Sequence, residues 1–398
     1  MKCNKWTLAL AAAGVVSLGS VVQAEEAAQH QVLTALSSTT LSGYIDTSVN
    51  WRVGNNNGPI WGRSFDGADK QDGFNLNVVA LTLEKPMEEG QWAAGYKAEL
   101  LFGPDANYYT TLLNGGGGGD LGGNDVNIKD AYVAFRAPVG NGLDFKLGVF
   151  TTVVGYEVFE SANNPNFSRS YGFALEPTHH TGLLASYHVN DMISIAGGIA
   201  NSWFGAINGQ TGGLQGRTEG EKTFLGAITI TLPEKTGPLA GSALYLGIVD
   251  GRIMGGGNED TTHYYAGLTL ATPVEGLSAG GAFDYRDDGT LPGSTGWAWS
   301  GAGYVSYQAT EKLKLNARGD YLRGVDGTFY PTGNVVKGKY VTGGENELVA
   351  VTLTADYNLW AGLITRLEGR WDHALKGGDK VFGDENVFTL ALNAVYKF

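Results

Sequence analysis

Asn386-Val-Phe-Thr-Leu-Ala-Leu-Asn-Ala-Val-Tyr-Lys-Phe398 alternates without a break. Phe388, Leu390, Leu392, Ala394, Tyr396 and Phe398 fall on one face of an extended chain, and Val387, Thr389, Ala391, Asn393, Val395 and Lys397 on the other. Successive side chains of a strand point to opposite faces, so a period of two held this long reads as one continuous strand. Ordinary globular strands run to roughly 5–6 residues, whereas a tilted strand crossing a bilayer needs about 9–11. A chain that closes on such a strand, with an aromatic residue last, is expected to be a transmembrane β-barrel of the bacterial outer-membrane type.

Working outward from this segment, the same alternation recurs at 40–53, 73–85, 90–103, 126–137, 142–152, 178–189, 191–203, 222–233, 240–252, 261–272, 275–287, 297–310, 312–323, 346–358, 362–373 and 385–398. These make about sixteen strands, and beyond the N-terminus no stretch keeps a helical period. The connections alternate in length. Short ones (86–89, 138–141, 190, 233–239, 273–274, 311, 360–361) take turns with longer ones (54–72, 104–125, 153–177, 204–221, 253–260, 288–296, 324–345, 374–384). Tight turns at one end of the sheet and loops at the other are the pattern of an antiparallel up-and-down barrel with periplasmic turns and extracellular loops. A soluble β-sandwich also has many strands and Gly-rich turns, but shorter strands and no such alternation.

Composition agrees. Gly is 61 of 398, about twice the usual ~7%, and there are 19 Tyr and 9 Trp. Residues 1–24 read as a cleaved signal peptide: Lys2 and Lys5 precede the apolar run Leu8–Val22, and Val22-Gln-Ala24 has small residues where a signal peptidase reads. Residues 25–39 are then a short periplasmic segment and 40–398 the barrel. The single cysteine, Cys3, lies in the leader, so no disulfide or thiol chemistry is expected in the mature chain. Losing Lys2 and Lys5 takes the formal charge from −13 to −15, and an acidic chain is a poor nucleic-acid binder.

The alternation assigns faces. Leu41, Ile45, Val49 and Trp51 are expected outward, with Tyr44, Asp46, Ser48, Asn50 and Arg52 inward. Leu313, Leu315, Ala317 and Tyr321 go outward against Lys314, Asn316, Arg318 and Asp320 inward; Leu363, Leu367 and Trp371 outward against Arg366, Glu368, Arg370 and Asp372 inward. A charge on the lipid face costs about 2–4 kcal/mol at the midplane, so these charges belong in the lumen. Sixteen strands enclose an aqueous channel rather than a packed core.

The connection 153–177 differs from the others. It carries Tyr156, Phe159, Phe167, Tyr171 and Phe173, too many aromatics for a solvated tip, and is expected to fold into the barrel as a constriction bearing Glu157, Glu160, Arg169 and Glu176. Facing it, Lys97, Arg136, Lys146 and Arg52, with Lys314, Arg318, Arg366 and Arg370, are expected to supply the basic side of a transverse field, since clusters of charge set ion preference in pores.

Three stretches carry a family resemblance: Val79-Ala-Leu-Thr-Leu-Glu-Lys-Pro86, Gly95-Tyr-Lys-Ala-Glu-Leu-Leu-Phe-Gly-Pro-Asp-Ala-Asn-Tyr-Tyr109 and Tyr156-Glu-Val-Phe-Glu-Ser-Ala-Asn-Asn-Pro-Asn-Phe-Ser-Arg-Ser-Tyr171. They resemble the putative β-barrel porin-2, OmpL-like, family. The resemblance implies an outer-membrane channel for passive diffusion of small hydrophilic solutes and ions, set in lipid and lipopolysaccharide. It also implies a homotrimer, and a role for Phe398 as the signal read by the barrel-insertion machinery. Ala243–Gly247 and Ala279–Ala282 are candidate subunit-facing walls. A structural or adhesive barrel with a closed lumen is the alternative.

Other chemistry is not expected. His179-His180 lacks further ligands at metal spacing and reads as a bulge or solvated strand start. Asp66–Asp72 and Asp284–Asp288 lack the ligand pattern of a calcium loop, and Gly115–Gly119 opens no helix that would cradle a phosphate. A barrel enzyme would need Ser and His together on the lipid face, and His180, His188, His263 and His373 have no evident Ser partner. No cofactor, metal or catalytic residue is therefore assigned.

Overall fold

The computed structural model describes residues 32–33, 38–54, 63–66, 70, 72–109, 111, 125–210, 221–254, 260–291, 294–325, 335–336, 339–340, 345–376 and 385–398. The leader and Gly115–Gly119 lie outside them.

Sixteen long strands form the wall. β1 to β8 are Thr40–Val53, Gly73–Lys85, Ala94–Phe102, Val126–Ala137, Leu143–Thr151, His179–His188, Ile193–Ala200 and Thr223–Thr231. β9 to β16 are Ala243–Gly251, Thr261–Ala271, Leu277–Leu291, Ser294–Gln308, Leu313–Val325, Glu345–Trp360, Leu363–Lys376 and Asn386–Lys397. Each pairs antiparallel with the next, and β16 pairs with β1 from Phe388↔Val53 to Lys397↔Tyr44. Closure leaves no strand edge facing lipid, where an unpaired backbone group costs several kcal/mol. Phe398 extends the seam, exchanging two 2.9 Å backbone bonds with Gly43. A Cβ on Gly43 would strike the Ala80 carbonyl and the Phe398 ring, so glycine is what lets these backbones and the terminal ring close up.

The expected faces are observed. Leu41, Ile45, Trp51, Leu315, Leu367 and Trp371 are exposed on the outer wall, and Asp46, Arg52, Arg318, Asp320, Arg366, Glu368, Arg370 and Asp372 are buried inside. Two differences have a local cause. The connection expected at 288–296 is instead strand: β11 and β12 run on past a register shift between Asp287 and Thr290 and pair as far as Leu291↔Ser294. On β4, a register shift opposite Glu99/Leu100 turns both Lys129 and Asp130 inward. A bulge places two residues against one, so alternation read along the sequence loses phase there.

A charge tests the orientation of the wall. Leu353, on β14, is 61% exposed. Leu353→Arg should destabilise the folded barrel by about 2–4 kcal/mol, and Val53→Arg at the rim by about 0–1 kcal/mol. Denaturant titration of refolding into lipid vesicles measures both.

Candidate functional site: the loop across the lumen

Residues 153–177 leave β5 and cross the interior. Val153 and Val154 pack with Phe150, Leu184, Leu225 and Tyr245. Tyr156 stacks on Tyr304 of β12 at 4.3 Å, and its hydroxyl occupies the space a Cβ on Gly280 would need. Phe159 reaches the opposite side, among Tyr44, Val78, Leu101 and Tyr109. Tyr171 and Leu175 pack with Leu322 and Leu348. Gly247 and Ala243 therefore serve the interior, with Val154 lying over Gly247. Within 243–247 only Leu244 and Leu246 are turned outward.

The loop backbone is held by side chains of the wall. Arg318 (β13) donates to the Ser168 carbonyl at 2.6 Å and the Arg169 carbonyl at 3.1 Å, and ion-pairs with Glu157 and Asp320 at 2.9 Å each. Arg370 (β15) donates to the Arg169 carbonyl at 2.6 Å and ion-pairs with Asp372 at 2.8 Å. Arg366 reaches the carbonyls of Ser161 at 2.5 Å and Asn164 at 3.0 Å. Glu368 works in the other direction, accepting from the backbone N–H of Phe167 at 2.6 Å and of Ser168 at 2.9 Å. Asp320 and Asp372 take the Tyr171 N–H and hydroxyl. On the β1 side Asp46 accepts from Asn77 at 2.7 Å, Asn393 at 2.6 Å and the Ser161 hydroxyl.

Arg318 and Arg370 are each 1% exposed. A guanidinium has five donors and cannot be neutralised in a protein, so in this dry setting the carbonyls and carboxylates around it are obligatory. Such pairs offset their own desolvation rather than adding large stability, but removing one partner strands the other.

The expected transverse field is only partly assembled. Of the loop acids, Glu157 meets Arg318 and Glu160 meets Lys129. The bulge on β4 hides the facing of Lys129 from the sequence pattern. Glu176 instead lies beside a second carboxyl, Asp284; burial and then that neighbour hold it well above the ordinary carboxylate range. Arg169 is turned onto its own loop, donating to the carbonyls of Val158, Phe167 and Phe159. Lys97 is bound to Glu99 at 2.7 Å and Asp130 at 3.0 Å, and Lys146 lies 4.7 Å from the Tyr132 ring centre. Lys314 pairs in register with Asp356 near the periplasmic end. Arg136 is the clear displacement: it sits at the periplasmic turn in a two-pronged pair with Asp144, at 2.5 and 2.7 Å, away from the loop. Wall acids stand beside wall bases, so the two signs interleave instead of dividing into sides.

Arg52 does face a space. A small open cleft of about 30 Å³ is lined by Asn50, Arg52, Arg63, Lys70, Asp72 and Phe167. Arg63 closes one flank through Asp372 at 3.1 Å and Asp66 at 2.5 Å.

Two histidine readings change. His179 and His180 are buried, not solvated: His179 bonds Thr178 and the Gly205 carbonyl at 2.7 Å each, and His180 bonds Thr152 at 3.0 Å. His188 does meet a serine, Ser194, at 2.9 Å, but as a cross-strand pair turned to the interior.

Sequence comparison now bears on this geometry. The family model described as putative beta-barrel porin-2, OmpL-like, matches residues 38–398. The chain belongs to this family. No curated protein matches it in sequence. Among solved structures, the anion-selective porin from Comamonas acidovorans is similar at 12% identity and TM-score 0.55, covering 91% of this chain and 99% of that one. The outer membrane channel DcaP of Acinetobacter baumannii is similar at 11% identity and TM-score 0.53, covering 92% and 99%. The trimer form of OmpT, an outer membrane protein of Vibrio cholerae, is similar at 12% identity and TM-score 0.54, covering 90% and 99%. At these identities the likeness is one of fold.

Arg318→Met should cost about 3–5 kcal/mol by stranding Glu157 and Asp320, and should open the loop to trypsin after Arg169, where the parent resists cleavage. The pH response follows from Glu176. An acid raised in the fold stabilises the closed loop below its unfolded value and ceases to do so as pH rises through its folded value. Protection of 170–177 from hydrogen exchange, taken relative to the intrinsic base-catalysed rate at each pH, should therefore fall as the medium goes from mildly acidic to alkaline, and Glu176→Gln should flatten that response.

Proposed function

We propose that this family member is an outer-membrane porin whose bore is set by the 153–177 loop, passing small hydrophilic solutes and ions by passive diffusion. The observation that carries the reading is the inward loop itself, crossing a closed sixteen-stranded wall with a polar inner face. Solutes pass between the loop and the wall, beside the basic residues Arg52, Arg63 and Lys70. Interleaved charges of both signs favour selection by size more than by sign. The leader at 1–24 directs export, and Phe398 presents the terminal aromatic to the insertion machinery. The trimer form of a similar fold supports a homotrimer. Ala279 and Gly281 alternate outward with Phe283 on β11 and supply a flat lipid-side surface for subunit contact.

A closed-lumen adhesive barrel is the competing outcome, favoured by how fully Arg318 and Arg370 are buried. Planar-bilayer recording separates the two. We expect discrete conductance steps in KCl, and steps severalfold larger when 157–171 is replaced by a short Gly-Ser linker. Absence of steps in the parent, with steps only in the linker variant, would assign the loop as a plug.

A further inference from the structure

The connection 54–72 does not stay at the rim. Its described residues Arg63–Asp66 lie inside the barrel, against the 153–177 loop. The Phe65 ring packs on Tyr108 at 4.7 Å, on Phe159 at 5.5 Å and on Phe173 at 5.7 Å, and the Arg169 guanidinium lies 5.3 Å from its centre. Phe159, Arg169 and Phe173 all belong to 153–177, so one ring of the first connection rests on both limbs of the loop. The Ser64 hydroxyl donates to the Tyr108 hydroxyl at 3.2 Å, which in turn donates to the Phe173 carbonyl at 3.3 Å. Lys70 is ion-paired to Asp105 in the turn 104–108. Three connections therefore meet at one aromatic cluster inside the wall.

The depth of this segment is fixed by the wall. The Arg63 side chain is 4% exposed, and a guanidinium taken out of water needs acceptors for its donors. It finds Asp372 of β15 at 3.1 Å and Thr389 of β16 at 3.2 Å, both on the inner face, and its neighbour Asp66 at 2.5 Å. Asp372 is the same carboxylate that takes the Tyr171 hydroxyl at 2.6 Å and the Arg370 guanidinium at 2.8 Å. One side chain of the wall thus holds the first connection and the 153–177 loop in a common position. The loop also keeps contacts of its own with Arg318, Arg366 and Glu368, and these do not involve 63–66. The first connection can be altered while they remain.

We propose that Arg63 and Phe65 are size-determining residues of the channel: its narrowest passage is bounded by the first connection as well as by 153–177, with the Phe65 ring closing the space over Arg169. Arg63 is the positioning residue that sets the depth of the segment, and Phe65 supplies the bulk. A neutral ring excludes by volume and not by sign, so the solutes it sorts are uncharged hydrophilic molecules of different size, small sugars among them. The assignment rests on the pore reading above. Conductance of the parent tests that reading by itself, whereas the size limit is read from a ratio of two solutes, so the two can fail separately.

Swelling of liposomes carrying the full chain, in isotonic arabinose or raffinose, tests it. The parent should admit the monosaccharide and nearly exclude the trisaccharide. Phe65→Ala should raise the raffinose-to-arabinose ratio severalfold, Arg63→Gln should raise it as well, and Phe65→Trp should keep the parent value. The loop should stay seated, so trypsin should still spare the bond after Arg169 in Phe65→Ala, with heat-modifiable gel mobility showing a folded barrel. Equal uptake of both sugars by the parent, or an unchanged ratio in both variants, overturns the proposal. So does cleavage after Arg169 in Phe65→Ala, which would make the ring an anchor of the loop and not a boundary of the passage. Should Phe65→Ala fail to fold, Arg63→Gln, which leaves Asp372 with Arg370 and Tyr171, carries the test alone. If the parent admits neither sugar, the pore reading fails. Arabinose uptake by Phe65→Ala would then still support the closing role of the ring, and no uptake by that variant would overturn it.

Discussion

The guanidinium groups of Arg318 and Arg370, donating to the backbone carbonyls of Ser168 and Arg169, are the contact on which the interior depends. A lipid-facing wall forces charge inward, and a charge brought inward at mid-height finds little water once the loop is in place. Each cation must then have acceptors, and the loop supplies carbonyls that no strand ladder uses. The loop is ordered by the wall and the wall is satisfied by the loop. Neither arrangement would be stable alone, since a buried charge without its partner carries the desolvation penalty of that group.

Around this contact the interior divides into three apolar clusters, one where the loop leaves β5, one under Phe159 and one under Tyr171. The loop is thus pinned at both ends and in the middle by apolar packing, and oriented between those points by hydrogen bonds. Packing is indifferent to small rotations, whereas the charge-assisted bonds are not. Their combination sets both the depth of the constriction and its direction across the barrel.

Much of this was legible in the sequence. Strict alternation from 386 to 398 and in fifteen other segments reported the wall, because a lipid exterior and a polar interior impose opposite chemistry on successive residues. The inward fold of 153–177 was legible from its aromatics. Partner choice was not. Arg136 and Arg318 have the same facing and the same charge, and only strand stagger places one at the periplasmic turn and the other under the loop. Lys129 was hidden because the bulge opposite Glu99/Leu100 breaks the phase of β4. The long hairpin of β11 and β12 looks like a loop in the sequence because Asp287, Asp288 and Gly289 are turn-forming residues, although Asp288 is engaged by Arg286 at 2.7 Å and Asp287 caps the Gly289 N–H at 2.9 Å.

The seam between β16 and β1 has a temporal meaning as well as a spatial one. Asn393 donates to Asp46 across 347 residues of chain, so the ring cannot be completed until nearly the whole polypeptide has been delivered to one place. Until then β1 and β16 are both open edges, competent to pair with any exposed strand. Contacts of such long sequence separation form slowly. Assembly of this protein is therefore a problem of keeping two distant edges apart from everything except each other, and the backbone exchange between Gly43 and Phe398 lies at the seam where they meet.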